Sequence, residues 1–493
     1  MTFEQAWQHA AARRAAREAH FLDLCRRLIY GHASSPYLKL LRAAGCEFGD
    51  VERLVGEHGL EGALSHLAAA GVYVTFDEFK GRREAVRGSA RFAFAEADFD
   101  NPLLAPHFEV RSGGTRGPAT AVKMHLAFVT ELAAGTALAF RAHDLEHHDQ
   151  LIWLVAGLTP TLIYARLGRP PAAWLYSVDP LPLPVWAGSR YLAALATVWG
   201  SRLPVPAYHD LADAAGLARR LAARLRGGRR VCLTTYASSA VRVAAAAAEG
   251  GTDLSGVCFI TLGEPFTAGK HAVVERAGAR ALVRYAFTEG GILGYGCGTA
   301  ASPDDLHFFS DCYGLVQRRR PVGDMGMEVD AFLVTALLPS APKVLLNVET
   351  GDYGRVERRS CGCLLGDAGL DVHLSCIRSF EKLTGEGMTF VQTDLLRILE
   401  EVLPARLGGT GADYQVVEEE EDGILRLSLI ISPRVGAVDE ALAREIFLRE
   451  LGHHNGFQRA GVQVWRKAKT VVVRRRAPIP TRAGKILPFQ IEK

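Results

Sequence analysis

The chain carries almost no net charge: 57 lysines and arginines stand against 54 aspartates and glutamates, a formal balance of +3. So small a balance supplies no long-range field for nucleic acid or an acidic membrane, and neither is an expected partner. The basic runs Arg318-Arg319-Arg320 and Arg474-Arg475-Arg476 are short and read as solvated faces. Long apolar runs are missing too. The longest, Leu151 to Ala165, is broken by Gly157, Thr159 and Pro160 and is too short for a bilayer. The first thirty residues have no apolar targeting core. Glu4, Glu18 and Asp23 interrupt the arginines, and Phe3, Trp7, Ala10 and Ala11 recur at helical spacing. A cytoplasmic protein is expected. Nine cysteines in 493 residues do not make a disulfide framework, and in a reducing compartment clustered ones are metal candidates. No internal repeat or long disordered tract is expected.

What the chain contains is alternation. Residues 1 to about 88 are mainly helical by spacing, with Val72 to Phe76 a β-rich exception. Ala121 to Ala137 is predicted helical. The buried-strand patterns Arg230 to Thr235 and Val257 to Leu262 are each followed by a helix, over Ser238 to Gly250 and up to Ala277. Residues 281 to 375 hold short β-like runs. Beyond Arg378, helix (Gln392 to Leu403), strand (Leu425 to Ile431), helix (Asp439 to Leu451) and strand (Gly461 to Trp465) form a compact unit, with Glu418 to Gly423 as a solvated hairpin turn. The predicted fold class is α/β: a large N-terminal α/β domain with a β subdomain, residues 1–376, and a small C-terminal α+β domain, residues 377–493.

Chemistry concentrates in five segments. The first is Arg111-Ser112-Gly113-Gly114-Thr115-Arg116-Gly117-Pro118. Glycines let backbone N–H groups turn around an anion, and hydroxyls add donors for phosphate oxygens. By itself this stretch reads either as a phosphate cradle or as a surface turn. Tyr285-Ala286-Phe287-Thr288-Glu289 ends a strand in a polar turn, and Thr350-Gly351-Asp352 ends another with a carboxylate. Arg378 opens the C-terminal unit. Gly484-Lys485 stands near the C-terminus.

Taken in that order, the five motifs resemble the acyl-adenylate-forming superfamily of acyl-CoA synthetases, amino-acid-activating domains and luciferases, over about residues 70 to 490. Gly263-Glu264-Pro265, Tyr236-Ala237-Ser238 and Val74 to Phe79 resemble its phenylacetate–CoA ligase-like branch. The resemblance implies an adenylate-forming fold with a mobile C-terminal lid. It implies an acid–thiol ligase that converts a small, aromatic or compact carboxylic acid and ATP to an acyl-AMP, then passes the acyl group to CoA. A carrier-protein phosphopantetheine or an amine is the alternative acceptor. A homodimer is compatible with it. By the same resemblance, Ser112, Gly113, Gly114, Thr115, Arg116 and Gly117 hold the β/γ-phosphates, and Thr288 meets the α-phosphate. Glu289 helps hold Mg²⁺, Asp352 accepts from the ribose, and Tyr285, Gly263, Glu264 and Pro265 complete the nucleotide site. Arg378 lies near the ribose or phosphate, and Lys485 bridges carboxylate and ATP. Two positions depart from the pattern. Pro118 stands where the loop lysine is usual, with Arg116 as its substitute. Ser379-Phe380-Glu381-Lys382 replaces paired hinge aspartates. The competing reading is a non-catalytic nucleotide-binding protein on the same fold. Glu289, Asp352 and Lys485 argue against it, since a scaffold needs none of them.

Cys297, His307, Cys361 and Cys363 form a separate group. By spacing they are either two unrelated pairs or a closed Cys₃His set suited to structural Zn²⁺. The branch resemblance implies zinc, with Cys376 or Cys312 able to replace one ligand. His143-Asp144-Leu145-Glu146-His147-His148-Asp149 reads as an exposed polar loop, and Gly452 to Gly456 as a turn. Trp186, Tyr236 and Phe287 are either acyl-pocket or core aromatics.

Overall fold

A computed structural model describes residues 1–111, 121–155, 157–177, 183–198, 202–322, 327–379, 382–385, 388–391, 395, 397–452, 456–479 and 489–491. The Val/Ile/Leu-rich runs form strands of a twelve-stranded sheet. In chain order these are β1 (Asp149–Trp153), β2 (Ala173–Tyr176), β3 (Pro206–Tyr208), β4 (Val231–Tyr236), β5 (Val257–Leu262), β6 (Arg280–Phe287), β7 (Gly291–Gly296), β8 (Leu306–Phe308), β9 (Tyr313–Val322), β10 (Met327–Ala336), β11 (Val348–Arg358) and β12 (Val372–Ser379). They lie side by side in the order β9-β10-β11-β12-β8-β7-β6-β5-β4-β1-β2-β3. From β6 to β3 all neighbours are parallel. The strands β4 and β5 are buried along nearly their whole length, as parallel strands covered on both faces are. From β6 to β9 the neighbours are antiparallel. The β-rich stretch therefore continues the parallel sheet.

The N-terminal helices pack on the antiparallel half. Helix α1 (Phe3–Ala15) is capped by Thr2, whose side chain accepts from the Gln5 N–H. Its buried Arg13 pairs with Asp311 at 2.6 Å and Glu131 at 2.6 Å. Helix α2 (Leu126–Ala142) presents an almost wholly buried face, Phe128 to Phe140, to the same core. One expectation fails here: residues 121–124 are strand, not helix. Ala121–Met124 pairs antiparallel with Phe108–Arg111, so ladder hydrogen bonds outweigh the helical propensity of Ala121 and Met124.

Among the described residues, the C-terminal unit is built on a four-stranded sheet with the helices Glu440–Leu451 and Gly456–Ala468, preceded by the hairpin Lys382–Gly385/Met388–Val391 and a helical stretch from Ile398 to Leu407. The strands of the sheet are β13 (Tyr414–Glu421), β14 (Ile424–Ile431), β15 (Val471–Arg475) and β16 (Phe489–Ile491). A second expectation fails in this unit. The predicted strand Gly461 to Trp465 belongs to a helix, Gly456–Ala468, whose buried Val462, Trp465 and Ala468 recur every third residue. The acidic run is also only partly a turn. Glu418 to Glu421 are strand residues, and only Asp422 and Gly423, both at positive φ, make the hairpin turn. That tip packs on helix α3 (Ala268–Arg276): a Cβ on Gly423 would stand 3.0 Å from the Gly269 carbonyl oxygen. Nearby the Thr267 hydroxyl donates to Glu420 at 2.6 Å.

Candidate active site

Strand β6 runs out of the parallel layer into Thr288 and Glu289, and this end carries a polar cluster of predicted residues. The Tyr285 phenol donates to Asp352 Oδ2 at 2.9 Å and lies 3.5 Å from the Thr350 hydroxyl. Burial, then the Asp352 carboxylate, push the phenol well above the usual tyrosine range. The expectation that Thr350-Gly351-Asp352 ends a strand fails: all three lie inside β11, where Gly351 has φ +81° and the Asp352 N–H donates to Thr350 Oγ1 at 3.3 Å. In sequence Tyr285 and Asp352 are distant, and in the sheet β7, β8 and β12 lie between their strands. Their contact shows how far the sheet curls.

Glu289 is buried, and its Oε1 lies 2.5 Å from the ammonium of Lys80. Lys80 also pairs with Glu96 at 2.7 Å, and its side chain is 7% exposed. The lysine follows the short helix Phe76–Phe79, whose N-terminus Thr75 caps by accepting from the Glu78 N–H. Sequence reading missed Lys80, because a single lysine after one helical turn carries no pattern. Thr288 is half-buried beside Glu289.

Arg378 lies one strand from Asp352 but on the other face. Asp352 opposes Ser379 and Arg378 opposes Tyr353 in the ladder, so alternation separates the two side chains. The guanidinium reaches Asp304 at 3.9 Å. Gly263, at φ +79°, ends β5 and lets the chain turn so that Glu264 points inward. The Glu264 carboxylate is fully buried and accepts from the Ser238 N–H at 3.1 Å and from the Ser238 hydroxyl. Lys270, also fully buried, donates to the Pro265 carbonyl at 2.7 Å and stands 3.7 Å from Glu264. Glu418 of β13 faces this group. Burial raises its carboxyl to about 7, against the pull of Lys270 and Arg378 and with the push of Glu264 and Glu420.

Ser112, Gly113, Gly114, Thr115, Arg116, Gly117 and Pro118 lie outside the described residues, as do Glu381, Gly484 and Lys485. The loop's flanks are described: Arg111 and Ala121 oppose each other in the hairpin. Trp186 is exposed, with Arg190 over its ring, while Tyr236 and Phe287 are half-buried. His143 to Asp149 is not the exposed loop its polarity predicts. His148 is buried, and His143 Nε2 bonds the Gly296 carbonyl at 2.9 Å, because the segment turns inward from helix α2 to β1. His453 to Asn455 lie outside the described residues.

The cysteine–histidine group converges. Sγ of Cys297 and Cys363 are 3.9 Å apart, and Sγ of Cys361 and Cys363 3.4 Å. His307 Nε2 stands 3.1 Å from Cys363 Sγ and 3.5 Å from Cys361 Sγ. Donors bound at 2.0–2.3 Å around one tetrahedral ion stand about 3.3–3.8 Å apart, and these spacings come within about 0.2 Å of that range, as a closed site requires. His307 Nδ1 is 2.6 Å from the Leu370 carbonyl, which fixes the tautomer that leaves Nε2 free of a proton. The Cys297 thiol donates to Cys363, holding Cys363 far below the usual thiol range and Cys297 above it. Cys376 is exposed, and Cys312 is buried near Arg13 and Asp311.

No protein-family model matches the chain, and no curated protein does. Solved structures do. The chain is similar to the anthranilate CoA ligase AuaEII in complex with anthranoyl-AMP, at 14% identity over 77% of this chain and 64% of that one, with a TM-score of 0.37. An NRPS protein containing adenylation and PCP domains gives 16% identity, 82% and 61% coverage and a TM-score of 0.41. E. coli MenE with bound OSB-AMS gives 13%, 72%, 64% and 0.30. The chain spans less than two thirds of each of these. Likeness at this level carries nothing about chemistry, which has to come from the residues.

Proposed function

We propose that the chain is an ATP-dependent carboxylate-activating ligase of the adenylate-forming kind, similar to the phenylacetate–CoA ligase-like branch. The observation that carries this reading is the Tyr285–Asp352 contact. It joins the Tyr-x-x-Thr-Glu strand end to the Thr-Gly-Asp segment of β11, two motifs whose shared use is to hold one nucleotide. An oxygen of the acid attacks the α-phosphorus of ATP and pyrophosphate leaves. A thiol then attacks the acyl carbon and AMP leaves. Charge grows on the α-phosphate in the first step, so donors and cations fixed there lower the barrier.

Asp352, oriented by Tyr285, accepts from the ribose hydroxyls, and Thr288 donates to the α-phosphate. Ser112 to Gly117 hold the β- and γ-phosphates, and Lys485 bridges the acid and the nucleotide. Glu289 is the protein ligand for Mg²⁺, which supplies positive charge to the phosphates when bound. Lys80 keeps the Glu289 carboxylate in place. The C-terminal unit, residues 377–493, is the lid, and its approach over Glu264 and Lys270 puts Glu418 at the seam. CoA is the acceptor and the acid is compact or aromatic. Cys297, His307, Cys361 and Cys363 hold one structural zinc ion, which ties the loop after β7 to the loop after β11.

Pyrophosphate release, measured with ATP, Mg²⁺ and a panel of carboxylic acids, tests the reading. Turnover with at least one acid, followed by acyl transfer to CoA, is expected. No turnover with any acid together with no ATP binding would sink it, and transfer only to a carrier-bound thiol would correct the acceptor.

A further inference from the structure

His373 was not among the residues whose spacing marks a metal site, yet it lies on one. It sits on β12 directly opposite His307 of β8 in the antiparallel ladder, and the two rings are 4.1 Å apart. Cross-strand partners project to the same face, so both imidazoles reach the cysteines together. The side chain is 2% exposed. Its Nδ1 lies 2.8 Å from Asp305 Oδ1, while Asp305 Oδ2 takes the Arg359 guanidinium and the Ala301 N–H. With its proton held on Nδ1, the ring presents a bare Nε2. That atom is buried and has no hydrogen-bond partner among the described residues. A buried, unpaired nitrogen is costly unless something binds it. A carboxylate–histidine pair aimed at a metal is the arrangement that orients ligating imidazoles.

Donor atoms of Cys297, His307, Cys361 and His373 all lie within 4.8 Å of one another. Two four-donor sets therefore overlap. Cys297, Cys361 and His307 are common to both, and the fourth place is claimed by Cys363 or by His373. We propose that the site is a Cys₃His₂ cluster in which His373 takes the metal's fourth position when Cys363 does not hold it. The proposal rests on the zinc reading of this cluster. Its consequence is a metal that stays bound when one thiolate is lost. Cys₃His around zinc carries one net negative charge and Cys₂His₂ carries none, so the exchange also removes a buried charge.

The test uses the full chain, purified under reducing, chelator-free conditions, with zinc content and X-ray absorption at the zinc edge. Wild type should hold about one zinc with three sulfurs and one nitrogen. Cys363→Ala should still hold about one zinc, now with two sulfurs and two nitrogens. Cys363→Ala/His373→Ala should hold at least about tenfold less. Equal loss in the single and double variants, or equal retention in both, overturns the proposal. Absence of zinc from wild type would instead reject the zinc reading itself. His373→Ala alone does not discriminate, because an orienting residue and a ligand both weaken binding by about 10–100-fold. Cys363→Ser, which keeps the side-chain size, covers the case in which the alanine variants do not fold. In cadmium-loaded Cys363→Ser with nitrogen-labelled histidine, NMR should show coupling to both His307 and His373. Coupling to His307 alone overturns the proposal.

Discussion

The phenol of Tyr285 donates to the carboxylate of Asp352 at 2.9 Å, across strands that are not neighbours in the sheet. The bond fixes the carboxylate proposed to meet a ribose, and it ties that carboxylate to the strand leading to Thr288 and Glu289. A hydrogen bond to a charged group contributes about 1.5–3 kcal/mol. Tyr285→Phe removes it without changing the ring. The expected result is a KM for ATP raised about tenfold, with kcat changed less, read from initial rates of pyrophosphate release. An unchanged KM would mean that Asp352 does not need the phenol.

Lys80 holds two carboxylates in a pocket where its own side chain is 7% exposed. Lys80→Ala removes the ammonium that stands against both Glu289 and Glu96. Breaking a buried pair from one side costs about 3–5 kcal/mol. Urea unfolding should show a loss of that order, and Lys80→Ala/Glu289→Gln should recover part of it. A coupling below about 0.5 kcal/mol in the double-mutant cycle would show that the pair is energetically idle.

The candidates Thr288, Glu289 and Asp352 were legible in the sequence because each stands in a motif that combines a glycine or hydroxyl with a charge, and Cys297, His307, Cys361 and Cys363 because thiols and an imidazole suit one metal ion. Lys80 and His373 were not. Each is one polar residue inside an unremarkable segment, and each acquires meaning only from a neighbour distant in sequence: Glu289 for Lys80, and the ladder partner His307 for His373. The failed element assignments have the same origin. Ala121 to Met124 is extended because Phe108 to Arg111 lies beside it. Gly461 to Trp465 alternates like a strand, but it is helical because Trp465 and Ala468 both fall on the side buried by the C-terminal core.

The carboxyl of Glu418 is raised from an ordinary 4.5 to about 7, chiefly by burial. A raised carboxyl means that between these values the folded chain holds a proton the unfolded chain has released. Its contribution is therefore largest below pH 4.5 and is lost as pH rises through about 7. For a half-buried group the swing is about 1 kcal/mol, or roughly 1 °C in the unfolding midpoint of a chain this long. Glu418→Gln removes the titration. Between pH 5 and 8 the wild-type midpoint should fall relative to that of Glu418→Gln, and parallel curves would count against a buried Glu418.

Metal removal has a separate signature. With free zinc at about a hundred times its dissociation constant, binding to the folded chain alone adds about 2.7 kcal/mol. Chelation should remove at least that much, and Cys361→Ser should reproduce the loss without chelator. Midpoints that ignore both treatments would remove the staple role, whatever the zinc content.

Lys485 separates the two halves of the proposed reaction. During adenylation two anions, the acid and the α-phosphate, must approach each other, and a cation between them offsets their repulsion. During thioester formation that repulsion is gone, because the acid is already an acyl-AMP and the incoming sulfur attacks carbon. Lys485→Ala should therefore cut pyrophosphate release by about a hundredfold or more, the cost of removing one donor that acts in the transition state. The same variant, supplied with preformed acyl-AMP and CoA, should form thioester at close to the wild-type rate. Loss of both steps to the same degree would assign Lys485 to folding or to lid placement. Retention of both would move the bridging role to another cation, with Arg116 and Lys80 the first to substitute.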